Sequence, residues 1–186
     1  MTRIAAISGS LRKGSLNSAL LRACAAASPD GVEVVTGSIR DVPLYDGDLE
    51  AAEGLPDAVV ALKALVAEAD GLLIVTPEYN NSLPGVLKNA IDWMSRGGDM
   101  KAVFGEKPVA VIGASPGSFG TVLAQTAWLP VIKALGATPW TGGRLMVSRA
   151  HTLFDAQGVL TDEKTQGEIA GFMAGFAAFA NRVRGK

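Results

Sequence analysis

Apolar runs of strand length alternate along this chain with longer segments whose apolar residues recur at helical spacing. This alternation limits the possible folds more than any other feature of the sequence. Runs that predict strands lie at 4–7, 32–36, 72–76 and 109–113, with a fifth within 143–147. Helical spacing is found at about 16–27, 55–68, 85–97, 121–135 and 165–183. Strands that alternate with helices predict an α/β protein with a parallel sheet and helices on both of its faces.

The third run, Leu72 to Thr76, is almost continuously apolar, as is typical of a strand covered on both faces. Right-handed crossovers leave few arrangements of five such strands. The common one is the flavodoxin-like, doubly wound order 2-1-3-4-5. No repeat or linker divides the series, so we expect residues 1–186 to form a single domain.

Composition excludes several classes of protein. The chain has 186 residues, of which 48% are hydrophobic and 19% charged, and a net charge of -1. So balanced a charge offers no field for nucleic acid or an anionic membrane. One cysteine excludes a disulfide framework and a zinc site built from cysteines, and one histidine argues against a metal site rich in histidine. Prolines and glycines interrupt the uncharged stretch 108–132, and no signal-peptide pattern opens the chain. We expect a cytoplasmic protein.

In the predicted fold, ligands bind beyond the carboxyl ends of the strands, where the first and third strands separate. The connections to inspect therefore follow the first, third and fourth strands. We call them loop 1 (residues 9–17), loop 2 (residues 76–84) and loop 3 (residues 113–120).

Loop 1 carries the side chains expected of a phosphate site. Ser10 and Ser15 offer hydroxyls, Asn17 an amide and Arg12 a guanidinium, next to a helix N-terminus. The loop lacks both the Gly-x-Gly-x-x-Gly pattern and the ending of a nucleotide P-loop. The alternative is an ordinary polar turn in which Ser15 or Asn17 caps the helix.

Loop 2 is suited to the edge of a planar heterocycle rich in carbonyl and imide groups. Tyr79 offers a flat apolar surface with a polar tip, and Asn80 and Asn81 supply donors and acceptors. The alternative is a strand-end turn whose tyrosine covers the core.

Loop 3 is built from small residues, so its use would be backbone amides close to a ligand. Such amides would form a small nest for partial negative charge. The alternative is a plain connection between strand and helix.

Three motifs in these loops resemble the NADPH-dependent FMN reductase family, the flavodoxin-like group that includes bacterial quinone, azo-dye and chromate reductases. The first motif is Gly9-Ser10-Leu11-Arg12-x-x-Ser15-x-Asn17. The second is Pro77-Glu78-Tyr79-Asn80-x-Ser82, followed by Leu87-Lys88-Asn89-x-x-Asp92-Trp93. The third is Gly113-Ala114-Ser115-Pro116-Gly117-x-x-Gly120. The match in order and spacing covers most of residues 4–125.

The resemblance implies a noncovalent FMN cofactor and either NADH or NADPH as co-substrate. FMN would carry two electrons by hydride transfer to a quinone or similar small acceptor in ping-pong order, without a catalytic acid or base from the protein. Ser10, Arg12, Ser15 and Asn17 would hold the phosphate, Pro77, Glu78, Tyr79 and Asn80 would line the isoalloxazine, and Ser115 and Gly117 would close its pyrimidine side. The family also implies a homodimer or homotetramer. The alternative function is that of a flavodoxin-type electron carrier without NAD(P)H activity, against which a net charge of -1 argues.

Other conspicuous residues are given no chemical role. We expect Cys24 to be an inert buried thiol and His151 to lie at the surface or serve structure. Asp92 and Trp93 fall off the apolar stripe of their helix, which predicts exposure to solvent or a subunit contact. Trp128-Leu129-Pro130 stands where many relatives have Leu-Arg after Gln125, which puts family-wide tetramer contacts in doubt.

Overall fold

A central parallel sheet organises the structure, a computed structural model that describes residues 1–185. The strands are β1 (Thr2–Ser8), β2 (Val32–Gly37), β3 (Gly71–Val75), β4 (Pro108–Ala114), β5 (Thr138–Pro139) and β6 (Met146–Val147). Their order is β2-β1-β3-β4-β5, with β6 also paired to β4. This confirms the predicted fold class and strand order. The single domain over 1–186 stays a prediction, and position 186 lies outside the described residues.

The sequence predicts one fifth strand beside β4, whereas the structure has two short strands there, β5 and β6. Thr138 pairs with Pro108 at one end of β4, and Met146 pairs with Gly113 at the other. Trp140 N still donates to Val109 O at 2.8 Å, and beyond this bond the chain leaves the ladder until β6. Trp140 then packs edge-on against Phe172, at 4.8 Å between ring centroids. The expectation of one fifth strand within 143–147 was therefore wrong in extent: six strands form the described sheet.

Helices cover both faces of the sheet. They are α1 (Leu16–Ala26), α2 (Gly47–Glu53), α3 (Asp57–Glu68), α4 (Gly85–Met94), α5 (Met100–Phe104), α6 (Val122–Ala134) and α7 (Glu163–Arg184), with a 3₁₀ turn at Ala150–Thr152. Ile4 and Ala6 of β1 face the cluster formed with α1 and α7, while Ala5 and Ile7 face the cluster formed with α3 to α6. The alternation of strand side chains thus gives the sheet two buried faces. In the described part of the chain, no helix combines the length and apolar character needed to cross a membrane.

The expectation for α4 was wrong at Trp93, which is fully buried. Residues 42–46 lie across this helix, and the Trp93 indole donates a hydrogen bond from Nε1 to Pro43 O at 3.0 Å. Tyr45 packs edge-on against the Trp93 ring, with 4.9 Å between centroids. Asp92 is only half-buried, and its carboxylate pairs with Lys88 at 2.6 Å.

Two other expectations are confirmed by burial. Cys24 is fully buried in the cluster between α1 and α7. Burial raises the pKa of its thiol from 9.0 to about 12, so the reactive thiolate is disfavoured. His151 is exposed in the 3₁₀ turn.

Candidate functional site

Loops 1, 2 and 3 meet at one edge of the sheet because β1, β3 and β4 are neighbours. Gly9 joins the first two loops closely. Its N–H donates to Val75 O at 2.9 Å. A Cβ at this position would lie 2.8 Å from Leu87 Cδ2 and 2.9 Å from Pro77 Cδ. Glycine is therefore required here for the close approach of the loops.

Asn17 connects loop 1 to loop 3. Its Nδ2 donates to Ala114 O at 2.9 Å, and its Oδ1 accepts from Ala114 N at 2.9 Å. The side chain is 4% exposed, so both ends of the amide are committed within the protein. The structure therefore places Asn17 as a support between loops, a function that the sequence did not reveal.

The other donors of loop 1 surround the start of α1. Ser15 caps this helix by accepting from Ser18 N at 3.2 Å, which the alternative interpretation of loop 1 predicted. That bond uses an oxygen lone pair, so the hydroxyl proton remains available to a ligand. Ser10 lies nearby and accepts from Arg12 N at 3.4 Å. The Arg12 side chain is exposed, and the first turn of α1 contains no acidic residue.

Loop 2 contains a tight turn with two residues in the left-handed region. Asn80 and Asn81 have φ of 51° and 62°. The N–H and C=O groups of Tyr79 and Ser82 bond each other across the turn at 3.1 Å. Positive φ at both central positions is the signature of a type I′ turn, and asparagine tolerates it better than most residues. The turn holds Tyr79 at the surface, 48% exposed, which argues against the alternative that its ring covers the core.

Glu78 binds a neighbouring helix. Its Oε2 accepts from Leu123 N at 2.9 Å and from Ala124 N at 3.0 Å, in the first turn of α6. Thr121, the residue at the helix start, makes no side-chain capping bond. A carboxylate from loop 2 thus supplies the cap and favours the positive end of the helix dipole.

Loop 3 is bonded to the segment that follows β6. Ser115 N donates to Val147 O at 3.0 Å, and Gly117 O accepts from Arg149 N at 2.9 Å. The Ser115 amide is therefore engaged in the protein, which corrects the expectation that it would face a ligand. The N–H groups of Gly117 and Ser118 remain for that purpose. Sequence reasoning missed Arg149, whose φ of 47° shapes this contact.

Trp128, part of the departure noted in the sequence, supports the base of loop 2. Its ring is fully buried, and Nε1 donates to Thr76 Oγ1 at 3.1 Å. The Thr76 hydroxyl in turn donates to Pro77 O at 2.8 Å. A Cβ at Gly113 would lie 2.1 Å from Thr76 O and from Thr121 Oγ1, so loops 2 and 3 can be this close only with glycine there.

The model of one protein family, described as NADPH-dependent FMN reductase, matches residues 2–152. The chain belongs to this family. An NAD(P)H-dependent FMN reductase of Pseudomonas aeruginosa is 41% identical over 183 residues, covering 98% of this chain and 97% of that protein. A 2-hydroxy-1,4-benzoquinone reductase of Burkholderia sp is 39% identical over 182 residues, with 98% of both chains covered.

Solved structures agree with this assignment. A flavoenzyme NAD(P)H:(acceptor) oxidoreductase from Paracoccus denitrificans superposes with a TM-score of 0.87 and 35% identity, covering 98% of each chain. Family membership confirms the resemblance found in the three motifs. It also confirms that the protein is an oxidoreductase and that its cofactors are FMN and NAD(P)H.

The donors around the start of α1 and in loop 3 fit FMN. Two hydroxyls, one guanidinium and the uncapped N–H groups of Leu16 and Asn17 suit a phosphate dianion, and no carboxylate opposes it in the first helical turn. At Gly117 a Cβ would meet only Ser115 Oγ, at 3.5 Å, so the backbone there is open to a ligand.

Proposed function

We propose that this chain is an FMN-dependent NAD(P)H oxidoreductase that passes two electrons to quinones or similar small acceptors. The observation that carries the proposal is the meeting of a phosphate-type donor set, an exposed tyrosine turn and an open glycine-containing loop at one edge of the sheet. The benzoquinone reductase of Burkholderia supports a quinone as acceptor.

The site residues would divide the work by position. Ser10, Arg12 and Ser15 would bind the FMN phosphate, together with the first-turn amides of α1. Pro77, Tyr79 and Asn80 would line the isoalloxazine, and Ser115 and Gly117 would close its pyrimidine side. We give Asn17 and Glu78 a positioning role, because their polar atoms already bind Ala114 and α6.

When bound, FMN supplies the redox chemistry by accepting a hydride from NAD(P)H and passing two electrons onward. The protein supplies position and electrostatics. The N–H groups of Gly117 and Ser118 would favour negative charge on the pyrimidine side, and the Arg149–Gly117 bond fixes the loop beforehand. Both substrates would use the same crevice in turn, which predicts ping-pong kinetics.

The test combines catalysis with binding. Purified protein loaded with FMN should oxidise NADH or NADPH when a quinone is present, with parallel lines in a double-reciprocal plot. A protein that binds FMN but leaves NAD(P)H unoxidised would instead be the one-electron carrier.

A variant tests the phosphate site directly. Arg12→Ala should weaken FMN about tenfold or more, because a charge-assisted hydrogen bond contributes about 1.5–3 kcal/mol, while riboflavin affinity should be unchanged. Arg182→Ala, near the C-terminal end of α7, serves as the control. Equal losses for FMN and riboflavin would remove Arg12 from the phosphate site.

We also propose a homodimer or homotetramer, supported by exposed apolar side chains around the crevice. Tyr79 is 48% exposed, Phe119 79% and Leu123 46%. Light scattering of the eluting protein tests this, and a monomer would contradict it. A cytoplasmic location is proposed as well, supported by a single cysteine that is buried as a thiol.

A further inference from the structure

A cavity of about 500 Å³ opens beside loop 1, and it extends beyond Arg12 and Ser15, the residues proposed for the FMN phosphate, to residues that the proposed function does not use. One wall is loop 1 from Arg12 to Ser15, continued by the first turns of α1. Pro116 of loop 3 and the segment 151–158 form the other wall. Its volume lies within the range of small-molecule sites.

Positive side chains are concentrated around this cavity. Arg12, Lys13 and Arg22 line it, together with His151. The carboxylate among the lining residues is Asp155, whose Oδ1 accepts backbone hydrogen bonds from Gln157 at 2.9 Å and Val159 at 2.8 Å. Since the whole chain carries 17 basic and 18 acidic residues, this excess of positive charge is local. The cavity is therefore suited to an anion.

A second, apolar cavity of about 520 Å³ continues from the first along α1. The two share Ala19, Arg22 and Gly158 as lining residues. Arg22 Nη2 donates to Gly158 O at 3.4 Å, which marks where the cavities join. Beyond this point the walls are mainly apolar, with Ala23, Ala26, Val159 and Ile169 among them. Together the two cavities form one groove, which we call the α1 groove, with a basic end at loop 1 and an apolar end.

The wall opposite α1 is a preformed turn. Phe154 and Leu160 form an antiparallel bridge, and Asp155 N donates to Val159 O at 2.9 Å. Gly158 has a φ of +75° within this turn. Because the turn is fixed by its own hydrogen bonds, a ligand would bind the groove without ordering a loop.

We propose that the α1 groove binds an adenylate group, with its phosphate at Lys13, Arg22 and His151 and its base against the apolar walls. A phosphate joined to a flat base with apolar faces matches a groove whose basic end is followed by apolar walls. The position rests on the proposed function, because Arg12, which is proposed to bind the FMN phosphate, also lines the basic end of the groove. The adenylate would belong to FAD bound in place of FMN, or to NAD(P)H as it reduces the enzyme.

Binding measurements distinguish the two sources. In the first arm, FMN and FAD are titrated separately into the ligand-free protein and into the double variant Lys13→Ala/Arg22→Ala. If FAD is the source, wild type binds it at least as tightly as FMN, and the variant loses about tenfold for FAD but less than about twofold for FMN.

In the second arm, the FMN-loaded protein is assayed with NADPH and with reduced nicotinamide mononucleotide, which lacks the adenylate. If NAD(P)H is the source, the double variant raises KM for NADPH about tenfold and leaves KM for the mononucleotide unchanged. Lys101→Ala, a surface lysine in α5, is the control for loss of charge.

A third titration separates this proposal from the proposed function. AMP alone should bind the ligand-free wild-type protein and bind the double variant about tenfold more weakly. If FMN fails to bind but AMP behaves in this way, the proposed function fails and the groove is supported. A different result overturns the groove proposal and leaves the proposed function standing. In that result FMN binds, but the double variant changes neither the affinities for FAD and AMP nor the KM for NADPH.

Discussion

Asn17 binds both the N–H and the C=O of Ala114, a residue 97 positions further along the chain. One buried amide side chain therefore satisfies the backbone at the carboxyl end of β4, where loop 3 begins. A side-chain amide carries both a donor and an acceptor, which is what a single backbone residue requires. This contact joins the loop proposed to hold phosphate to the loop proposed to close the ring site.

We expect Asn17→Ala to lower the free energy of unfolding by roughly 2–4 kcal/mol, because both polar groups of Ala114 would lose buried partners. FMN affinity should fall as well, since loop 3 would no longer be fixed against loop 1. Urea denaturation and FMN titration measure the two effects.

Asn181→Ala is the matched control. It removes the bond that Asn181 Oδ1 accepts from Thr2 Oγ1 at 2.8 Å, at the opposite edge of the sheet. It should cost about 1 kcal/mol and leave FMN affinity unchanged. An Asn17→Ala protein as stable as wild type would show that the Ala114 bonds contribute nothing.

Glu78→Ala should destabilise the protein by about 1–2 kcal/mol, because α6 would lose the acceptor for Leu123 N and Ala124 N. Glu78→Gln keeps an acceptor oxygen and loses the charge, so its cost should be smaller. Chemical denaturation measures both. Glu53→Ala removes an exposed carboxylate at the end of α2 and should change stability by less than about 0.5 kcal/mol. The proposed cap is refuted if Glu78→Ala behaves like this control.

The sequence predicted the strands up to β4 and the long helices because each depends on its own apolar spacing. It also located the three loops, since parallel strands bring their carboxyl ends to the same edge. It could not reveal that Asn17 binds Ala114 or that Glu78 caps α6, because neither contact leaves a local pattern. For the same reason Trp93 was misassigned: the spacing in α4 describes the face toward the sheet, while residues 42–46 cover another face.

The turn in loop 2 predicts that one substitution at Asn81 lowers stability and that another leaves it almost unchanged. Asn81 has a φ of 62°, which glycine adopts freely and a β-branched residue adopts at a cost. We expect Asn81→Val to lose about 1–2 kcal/mol of stability and Asn81→Gly to stay within about 0.5 kcal/mol of wild type. Thermal unfolding measures the difference.

Ser82→Val provides the comparison for this turn. The residue is exposed and is not among those with positive φ, so valine should be tolerated there within about 0.5 kcal/mol. Equal losses for Asn81→Val and Ser82→Val would mean that the left-handed backbone at Asn81 is not the cause.

Cys24 predicts a loss of stability at high pH. Burial raises the pKa of its thiol to about 12, against 9.0 for an ordinary thiol. Because the folded protein holds the proton more tightly, this contribution to stability is complete below pH 9 and is lost as pH rises from 9 toward 12. The loss approaches about 1.4 kcal/mol per pH unit once the unfolded thiol is ionised.

Comparison with Cys24→Ala isolates this contribution. The variant loses the thiol, so its free energy of unfolding lacks the Cys24 titration, while all other groups titrate as in wild type. Wild type minus variant should therefore be constant from pH 7 to about 8.5 and should fall steadily above about 9.5. Urea denaturation of both proteins over this range gives the difference. A difference independent of pH would show that the thiol ionises as readily in the folded protein as in the unfolded chain, contrary to its burial between α1 and α7.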